Sequence, residues 1–205
     1  MFVILVNYLK EGIEMTIKRL WWILGSASCR GGRRRANYAR KHGIYANIGE
    51  NVSIQSRLIP VYSELIYFHN NISVARNVDF VTHDIAHVVM NRLPKKIDRV
   101  KLKEKIGCIE IMDNVFIGSN SVILYNTRIG PNVIIGSGSV VTRDCEPNSV
   151  YAGVPAKKIG SFDDFVERRI EAERNGLTAT TEHNQHLSQE EINNAWNMFK
   201  QQHDS

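Results

Sequence analysis

Histidine is the side chain whose charge changes nearest neutral pH, so it is the first residue to weigh as a general base. The chain has seven. A histidine taken alone is most often solvated or hydrogen-bonded structure. His83 differs in its setting, the run Val81-Thr-His-Asp84 directly ahead of a long segment with no apolar pattern of its own. Asp84 is a candidate to align the imidazole or an acceptor, but only if the chain turns there, because neighbouring strand residues point to opposite faces. Its other reading is a turn residue. Glu64 is a further acceptor-binding candidate. Cys29, Cys108 and Cys145 stand at wide spacings without a CxxC pair, which argues against a disulfide framework and a structural zinc.

The elements that must position these groups come from a repeat. From position 111 an aliphatic residue returns every six: Ile111, Ile117, Ile123, Ile129, Ile135 and Val141. Small or β-branched residues follow four places after the first five, at Val115, Ser121, Thr127, Val133 and Ser139, and Gly118, Gly130 and Gly136 follow three of the aliphatics directly. A period of six fits neither a helix nor simple strand alternation. It fits a short strand and a corner, with three faces to a coil, the aliphatics on the axis, and small residues or glycine at the tight corners. The period recurs through Ile48, Ile54, Phe68, Val74 and Phe80, with a corner insertion near Pro60 to Glu64. The phase is lost between Phe80 and Ile111. There the stretch 85–105 carries Pro94 and the bases Arg92, Lys95, Lys96, Arg99, Lys101, Lys103 and Lys105, and a long patternless loop inside a compact repeat is expected to be functional.

The reading is therefore mainly β, a β-helix of hexapeptide repeats flanked by helices. Three segments are expected: 1–43, helical and basic; 44–160, the β-helix with its protruding loop 85–105; and 161–205, a helical extension. Ile13, Ile17, Leu20, Trp21 and Leu24 predict an amphipathic N-terminal helix. Ser161 with Asp163 and Asp164 predicts a second helix to about Asn175, and Ser188 with Glu191 is a capping box ahead of the stripe Ile192, Ala195, Trp196 and Phe199. The formal net charge of +5 is local, with six bases and no acid between Arg30 and Lys41. That segment reads as a solvated linker face, or as a contact with an anionic membrane surface beside Trp21 and Trp22. No nucleic-acid role is expected of it, for it lacks interleaved aromatics or a recognisable motif. The apolar opening Phe2 to Leu9 is interrupted by Asn7 and followed by Lys10, Glu11 and Glu14, a poor span and a poor secretory signal. The expected location is the cytoplasm, with peripheral contact to the inner membrane face as its variant.

Three runs carry a resemblance: Ile111-Met-Asp-Asn-Val-Phe-Ile-Gly118, Ile135-Gly-Ser-Gly-Ser-Val-Val-Thr-Arg143 and Ala152-Gly-Val-Pro-Ala-Lys157. With Val81-Thr-His-Asp84 they make about Ile44 to Ile159 resemble the hexapeptide-repeat acyltransferases, and within them the sugar and surface-polysaccharide O-acetyltransferases. Met112 and Phe116 depart from the family's usual glycine and tryptophan. The resemblance implies a left-handed parallel β-helix, a homotrimer with sites between subunits, acetyl-CoA as co-substrate and no metal. It further implies His83 as the base that takes the acceptor hydroxyl's proton in a direct transfer, without an acyl-cysteine. For the cofactor it implies Ser119 and Ser137 along the pantetheine, Thr142 and Arg143 at the adenine end, and Lys157 and Lys158 near the phosphates, where cations would pair with a polyanion.

Other readings stay open. One is N-acetylation of an amino sugar or xenobiotic. Another is a zinc enzyme like the carbonic anhydrases of this fold, using His69, His83 and His87, although their spacing does not resemble that family's. A third is a non-catalytic scaffold. For the serines and Thr142 the plain alternative is that corners need small residues, and for the lysines that they are solvated surface charges.

Overall fold

The computed structural model describes residues 17–93, 100–175 and 187–203. The segment Phe2 to Leu9, Ile13, and Pro94, Lys95, Lys96 and Arg99 lie outside the described residues.

Short parallel strands stack into three faces. The first face is β1 (Asn47–Ile48), β3 (Ile66–Phe68), β8 (Ile109–Ile111) and β11 (Thr127–Ile129). The second is β2 (Val52–Ile54), β4 (Ile72–Val74), β9 (Val115–Ile117), β12 (Val133–Ile135) and β14 (Ser149–Ala152). The third is β5 (Asp79–Val81), β10 (Val122–Leu124) and β13 (Val140–Val141). Ile111 pairs with Ile129, Ile117 with Ile135 and Ile123 with Val141, one coil of 18 residues. All six are buried. Each such aliphatic contributes roughly 1.5–3 kcal/mol by leaving water, which is why the six-residue phase is kept so strictly.

Two departures from 18 locate the insertions. Ile48 pairs with Phe68 and Ile54 with Val74, and the same step of 20 joins Glu50 to Asn70, so the first coil holds two extra residues. Residues 55–65 take the place of a third-face strand in that coil. Phe68 pairs with Ile111 and Phe80 with Ile123, a step of 43, so the excursion after β5 adds 43 − 18 = 25 residues. It leaves and returns at one point, where the Gly107 N–H donates to the Thr82 carbonyl at 2.9 Å.

The corners differ from the expectation. Val115, Ser121, Thr127, Val133 and Ser139 do not sit at the tightest backbone but point into the core. The residue before each turns the chain: Asn114, Asn120, Asn126 and Asn132 have φ of 60°, 60°, 55° and 56°, and Gly138 has 72°. Asparagine reaches this left-handed region at lower cost than other side chains. The corner side chains also form a ladder, Asn71 to Asn114 at 2.7 Å and Asn114 to Asn132 at 2.8 Å. Gly118 is needed for a different reason than its backbone angle: a Cβ there would lie 2.5 Å from the Ser137 nitrogen on the next coil.

A stack of strands must cover its two end edges. At the start, helix α1 (17–28) is followed by α2 (Gly32–Lys41), which lies against β2 and β1. This corrects the linker reading of the arginine-rich segment. Arg35 is only 5% exposed, and its guanidinium donates to the carbonyls of Ser26, Cys29, Ile54 and Gln55. Arg40 donates to the carbonyls of Ile48 and Gly49. Both arginines thus satisfy backbone acceptors that the first coil would otherwise leave unpaired. At the other end β15 (Lys157–Ser161) runs antiparallel to β14, after a turn that contains the cis Val154–Pro155 bond.

The chain divides into a compact unit ending at Phe162 and a second beginning at Asp163. Around and beyond that boundary are α4 (Phe162–Arg174), with Asp163 and Asp164 in its first turn, and α5 (Gln189–His203). The capping box before α5 is reciprocal, Glu191 N–H to Ser188 Oγ at 3.2 Å and Ser188 N–H to Glu191 Oε2 at 2.7 Å. Among the described residues no helix is long and apolar enough to cross a membrane.

Candidate active site

The register of the third face fixes which side chains share an edge of the prism. Val81 pairs with Leu124 and Ile123 with Val141, so the corner leading back to the first face carries Thr82, Tyr125 and Arg143 on successive coils. His83 stands beside Thr82 on β6 (His83–Asp84), which pairs antiparallel with β7 (Lys105–Ile106) at the base of the excursion. The same edge of the first coil is formed by Tyr62 and Glu64, since the Thr82 hydroxyl donates to the Val61 carbonyl.

Tyr62 was not among the residues that the sequence singled out, and it is the most unusual of the edge. Its φ is 53°, and the other eight non-glycine residues with positive φ among those described are all asparagines. An aromatic residue held there carries roughly 1–3 kcal/mol of backbone strain, which persists only where surrounding contacts impose it. The Tyr62 ring meets the His83 imidazole edge to face, with centroids 5.5 Å apart at 86°, and its hydroxyl donates to Glu104 Oε2 at 3.1 Å. Glu104 is an acid inside a loop rich in bases, between Lys103 and Lys105.

His83 is half-buried, and its Nδ1 is enclosed without a hydrogen-bond partner, as is Nδ1 of His87 in α3 (His87–Met90). A buried polar atom left unpaired is uncommon enough to need a reason, and an imidazole that a ligand completes is one. The Asp84 carboxylate takes the Ala86 N–H at 2.6 Å on Oδ1 and lies 3.4 Å from the Tyr125 hydroxyl through Oδ2. Asp84 thus closes a local turn and also joins Tyr125 of the next coil on the same edge. The Lys105 ammonium stands 5.0 Å from the centroid of Tyr125. Asn91 and Leu102 exchange two hydrogen bonds, 2.9 and 3.1 Å, that pin the excursion across its own base.

The remaining sequence candidates fall on different edges. Thr142 and Arg143 are exposed on the His83 edge, two coils further along. Ser119 and Ser137 lie at the opposite border of the third face, between β9 and β10 and between β12 and β13. Lys157 and Lys158 are exposed on β15, where Lys158 pairs with Glu146 at 3.1 Å. The structure therefore gathers Glu64, Tyr62, His83 and Asp84, but separates them within one chain from the serines and lysines.

The backbone beside the serine corner is open. Gly138 and Gly153 have φ of 72° and 100°, and a Cβ on the first would meet nothing within 4 Å, on the second only the Pro155 carbonyl oxygen at 3.7 Å. Backbone there is open to close approach. Among the described residues no three of His, Cys, Asp and Glu gather as a metal site. His69 is instead engaged with Glu110, Nε2 to Oε1 at 2.9 Å, on the outer side of the first face. That contact, with the Arg128 guanidinium on the other oxygen, holds the Glu110 carboxyl below its ordinary pKa. Burial pushes the Cys145 thiol up to about 12, far from the thiolate a nucleophile needs.

Comparison with known proteins bears on the repeat and the fold. A model described as "Bacterial transferase hexapeptide (six repeats)" matches residues 109–143. The galactoside O-acetyltransferase of Escherichia coli strain K12 is 34% identical over 123 residues, 60% of this chain and 57% of that protein. A 2,3,4,5-tetrahydropyridine-2,6-dicarboxylate N-acetyltransferase of Clostridium perfringens is 43% identical over 67 residues, 33% of this chain and 28% of that protein. The chain thus spans little more than half of the first relative and under a third of the second. A solved galactoside acetyltransferase in complex with coenzyme A superposes with a TM-score of 0.52 and 26% identity, over 74% of this chain and 84% of the other. Coils of 18 residues closed by left-handed corners, the matched repeat model and that superposition lead to one conclusion: the chain carries hexapeptide repeats similar to those of the bacterial transferases and has the left-handed parallel β-helix fold.

Proposed function

We propose that the protein is an acetyl-CoA-dependent O-acetyltransferase acting on a carbohydrate in surface-polysaccharide synthesis, with His83 as general base, working as a homotrimer on the cytoplasmic side. The observation that supports it most is the placement of His83 at the base of the 25-residue excursion, on one edge with Tyr62, Glu104, Tyr125 and Arg143. The transfer itself is simple to balance. A sugar hydroxyl oxygen bonds to the thioester carbonyl carbon while His83 takes its proton; the carbon–sulfur bond then breaks, and the imidazolium returns the proton to the departing sulfur. Bound donor supplies the activated acetyl group. Ser119, Ser137 and the open backbone at Gly138 and Gly153 would lie along its arm, Thr142 and Arg143 at its adenine end, and Lys157 and Lys158 by its phosphates. His83 and the two serines sit on opposite borders of the third face, so a trimer is part of the reading: the His83 edge of one copy would face the serine edge of the next. The match to the galactoside enzyme runs over 123 residues against 67 for the N-acetyltransferase, which favours a hydroxyl over an amine as the acceptor. The exposed Ile17, Leu20, Trp21 and Leu24 of α1 with Arg30, Arg33 and Arg34 suit a transient membrane contact.

The decisive test is His83→Ala. The variant should keep its oligomeric state and thermal midpoint, yet lose acetyl transfer by ~100-fold or more, the scale of a missing general base. Retention of most activity would remove His83 from the chemistry.

A further inference from the structure

Beside the His83 edge lies a second concavity that the transfer step does not use. Residues 59–64 and helix α1 border an open cleft of about 210 Å³, walled by Trp22, Pro60 and Val61 and rimmed by Arg19 and Glu64. Tyr62 belongs to both places: it lines this cleft, and its ring lies against His83. The Arg19 guanidinium is anchored at the rim by its bond to the Ile59 carbonyl, 2.8 Å. The indole of Trp22 is held as well, packed against the core, with the Lys18 ammonium 4.9 Å from its centroid in the neighbouring depression. The cleft thus offers a fixed aromatic plane, an apolar floor, one carboxylate acceptor and one guanidinium donor.

We infer that this cleft is an acceptor subsite for the sugar ring next to the one that is acetylated, so that the substrate is a disaccharide or longer glycan instead of a free monosaccharide. This rests on the reading of His83 as the site of transfer to a sugar. A pyranose has an apolar C–H face for the indole and a ring of hydroxyls for Glu64 and Arg19, and mostly apolar clefts with a few placed polar groups are what such ligands fill. A nucleotide would stack on Trp22 equally well, but its phosphates would meet the Glu64 carboxylate, and Arg19 alone leaves the rim without net positive charge. The excess of two residues in the first coil falls where 55–65 replaces a strand, so the insertion builds both the cleft wall and the strained Tyr62. One aromatic ring separates the cleft from the imidazole, which sets the two sugars side by side along a chain.

The test uses the full-length protein, without acetyl donor, on an immobilised panel of mono-, di- and oligosaccharides, followed by acetyl-transfer rates on the retained sugars. Retention should be confined to glycans of two or more sugars. Trp22→Ala and Glu64→Gln should each weaken it about tenfold or more, about 1.4 kcal/mol in binding, whereas His83→Ala should bind like the wild type. Trp22→Phe, which keeps an aromatic plane against the core, should fall between the wild type and Trp22→Ala and guards against a folding artefact. The inference is overturned if no glycan is retained, if monosaccharides bind as well as longer chains, or if neither Trp22→Phe nor Glu64→Gln changes the pattern. Failure of the transfer reading looks different: glycans would be retained with this dependence on length, but His83→Ala would acetylate them as fast as the wild type.

Discussion

At the scale of single residues, the candidate site divides into groups the sequence could show and groups it could not. His83 was legible because its dipeptide neighbours stand at the end of a coil and ahead of an unpatterned stretch. Tyr62 was not, since nothing in a tyrosine's spacing reveals that its backbone is left-handed; the nearest signal was that it lies in the corner insertion. Glu104 was hidden by the bases around it. Asp84 illustrates the reverse case, a residue picked out for its chemistry whose described bonds go to Ala86 and Tyr125. Tyr62 is argued to position His83, not to touch the reacting atoms, and two variants separate its contributions. Tyr62→Asn relieves the φ of 53° while removing the ring, so the fold should hold and kcat should fall about 10- to 100-fold, the scale of a misplaced catalytic group. The KM for acetyl-CoA should stay within about twofold, because the donor contacts on this edge, Thr142 and Arg143, stand two coils further along than His83. Tyr62→Phe keeps the ring and loses the hydroxyl with its Glu104 bond, so it should retain most of the wild-type kcat. Equal losses in both variants would assign the effect to the hydroxyl, and no loss in Tyr62→Asn would end the positioning role.

At the scale of elements, the strands were readable because each face buries one aliphatic per six residues, and a burial pattern survives in the sequence. The corners were read less well. Small residues four places after each aliphatic drew attention, but the turn is made one residue earlier, at Asn114, Asn120, Asn126 and Asn132, whose own six-residue spacing was present in the sequence. Helix α2 reads as linker in the sequence for an equally physical reason: it buries only Arg35, Ala36 and Ala39, so it has no aliphatic stripe to announce it. The asparagine corners make a measurable claim. Asn114→Ala puts at φ of 60° a residue that reaches the left-handed region less readily than asparagine, and cuts the bonds to Asn71 and Asn132. The backbone term is about 1–2 kcal/mol and the exposed bonds add about 1 kcal/mol at most. Asn114→Gly loses the same bonds but not the backbone freedom, so it should cost about 1 kcal/mol. Urea titration of the three proteins reads this as two distinct midpoints at unchanged slope. Identical midpoints for Ala and Gly would mean that the ladder, not the left-handed angle, is what asparagine supplies.

At the scale of the whole molecule, the placement of the candidate groups poses a geometric problem that one chain does not solve. His83 and Arg143 follow the third face on one edge of the prism, Ser119 and Ser137 precede it on the other, and a three-sided column holds those edges apart. A cyclic assembly resolves this if each copy turns its His83 edge toward the serine edge of its neighbour, a head-to-tail contact that closes after three. Hybrid trimers test this without a structure of the complex. His83→Ala removes the base, and Ser137→Trp fills the serine corner, where the wild-type side chain is exposed and room is expected to be needed for the donor. Each variant alone should be trimeric by light scattering and nearly inactive. Refolded together in equal amounts, a site formed between copies joins an intact His83 edge to an intact serine edge in about a quarter of the interfaces, one half times one half. Activity should return to about a quarter of the wild type. If both groups instead served a site within one chain, every chain in the mixture would carry a defect and activity would stay at the level of the single variants.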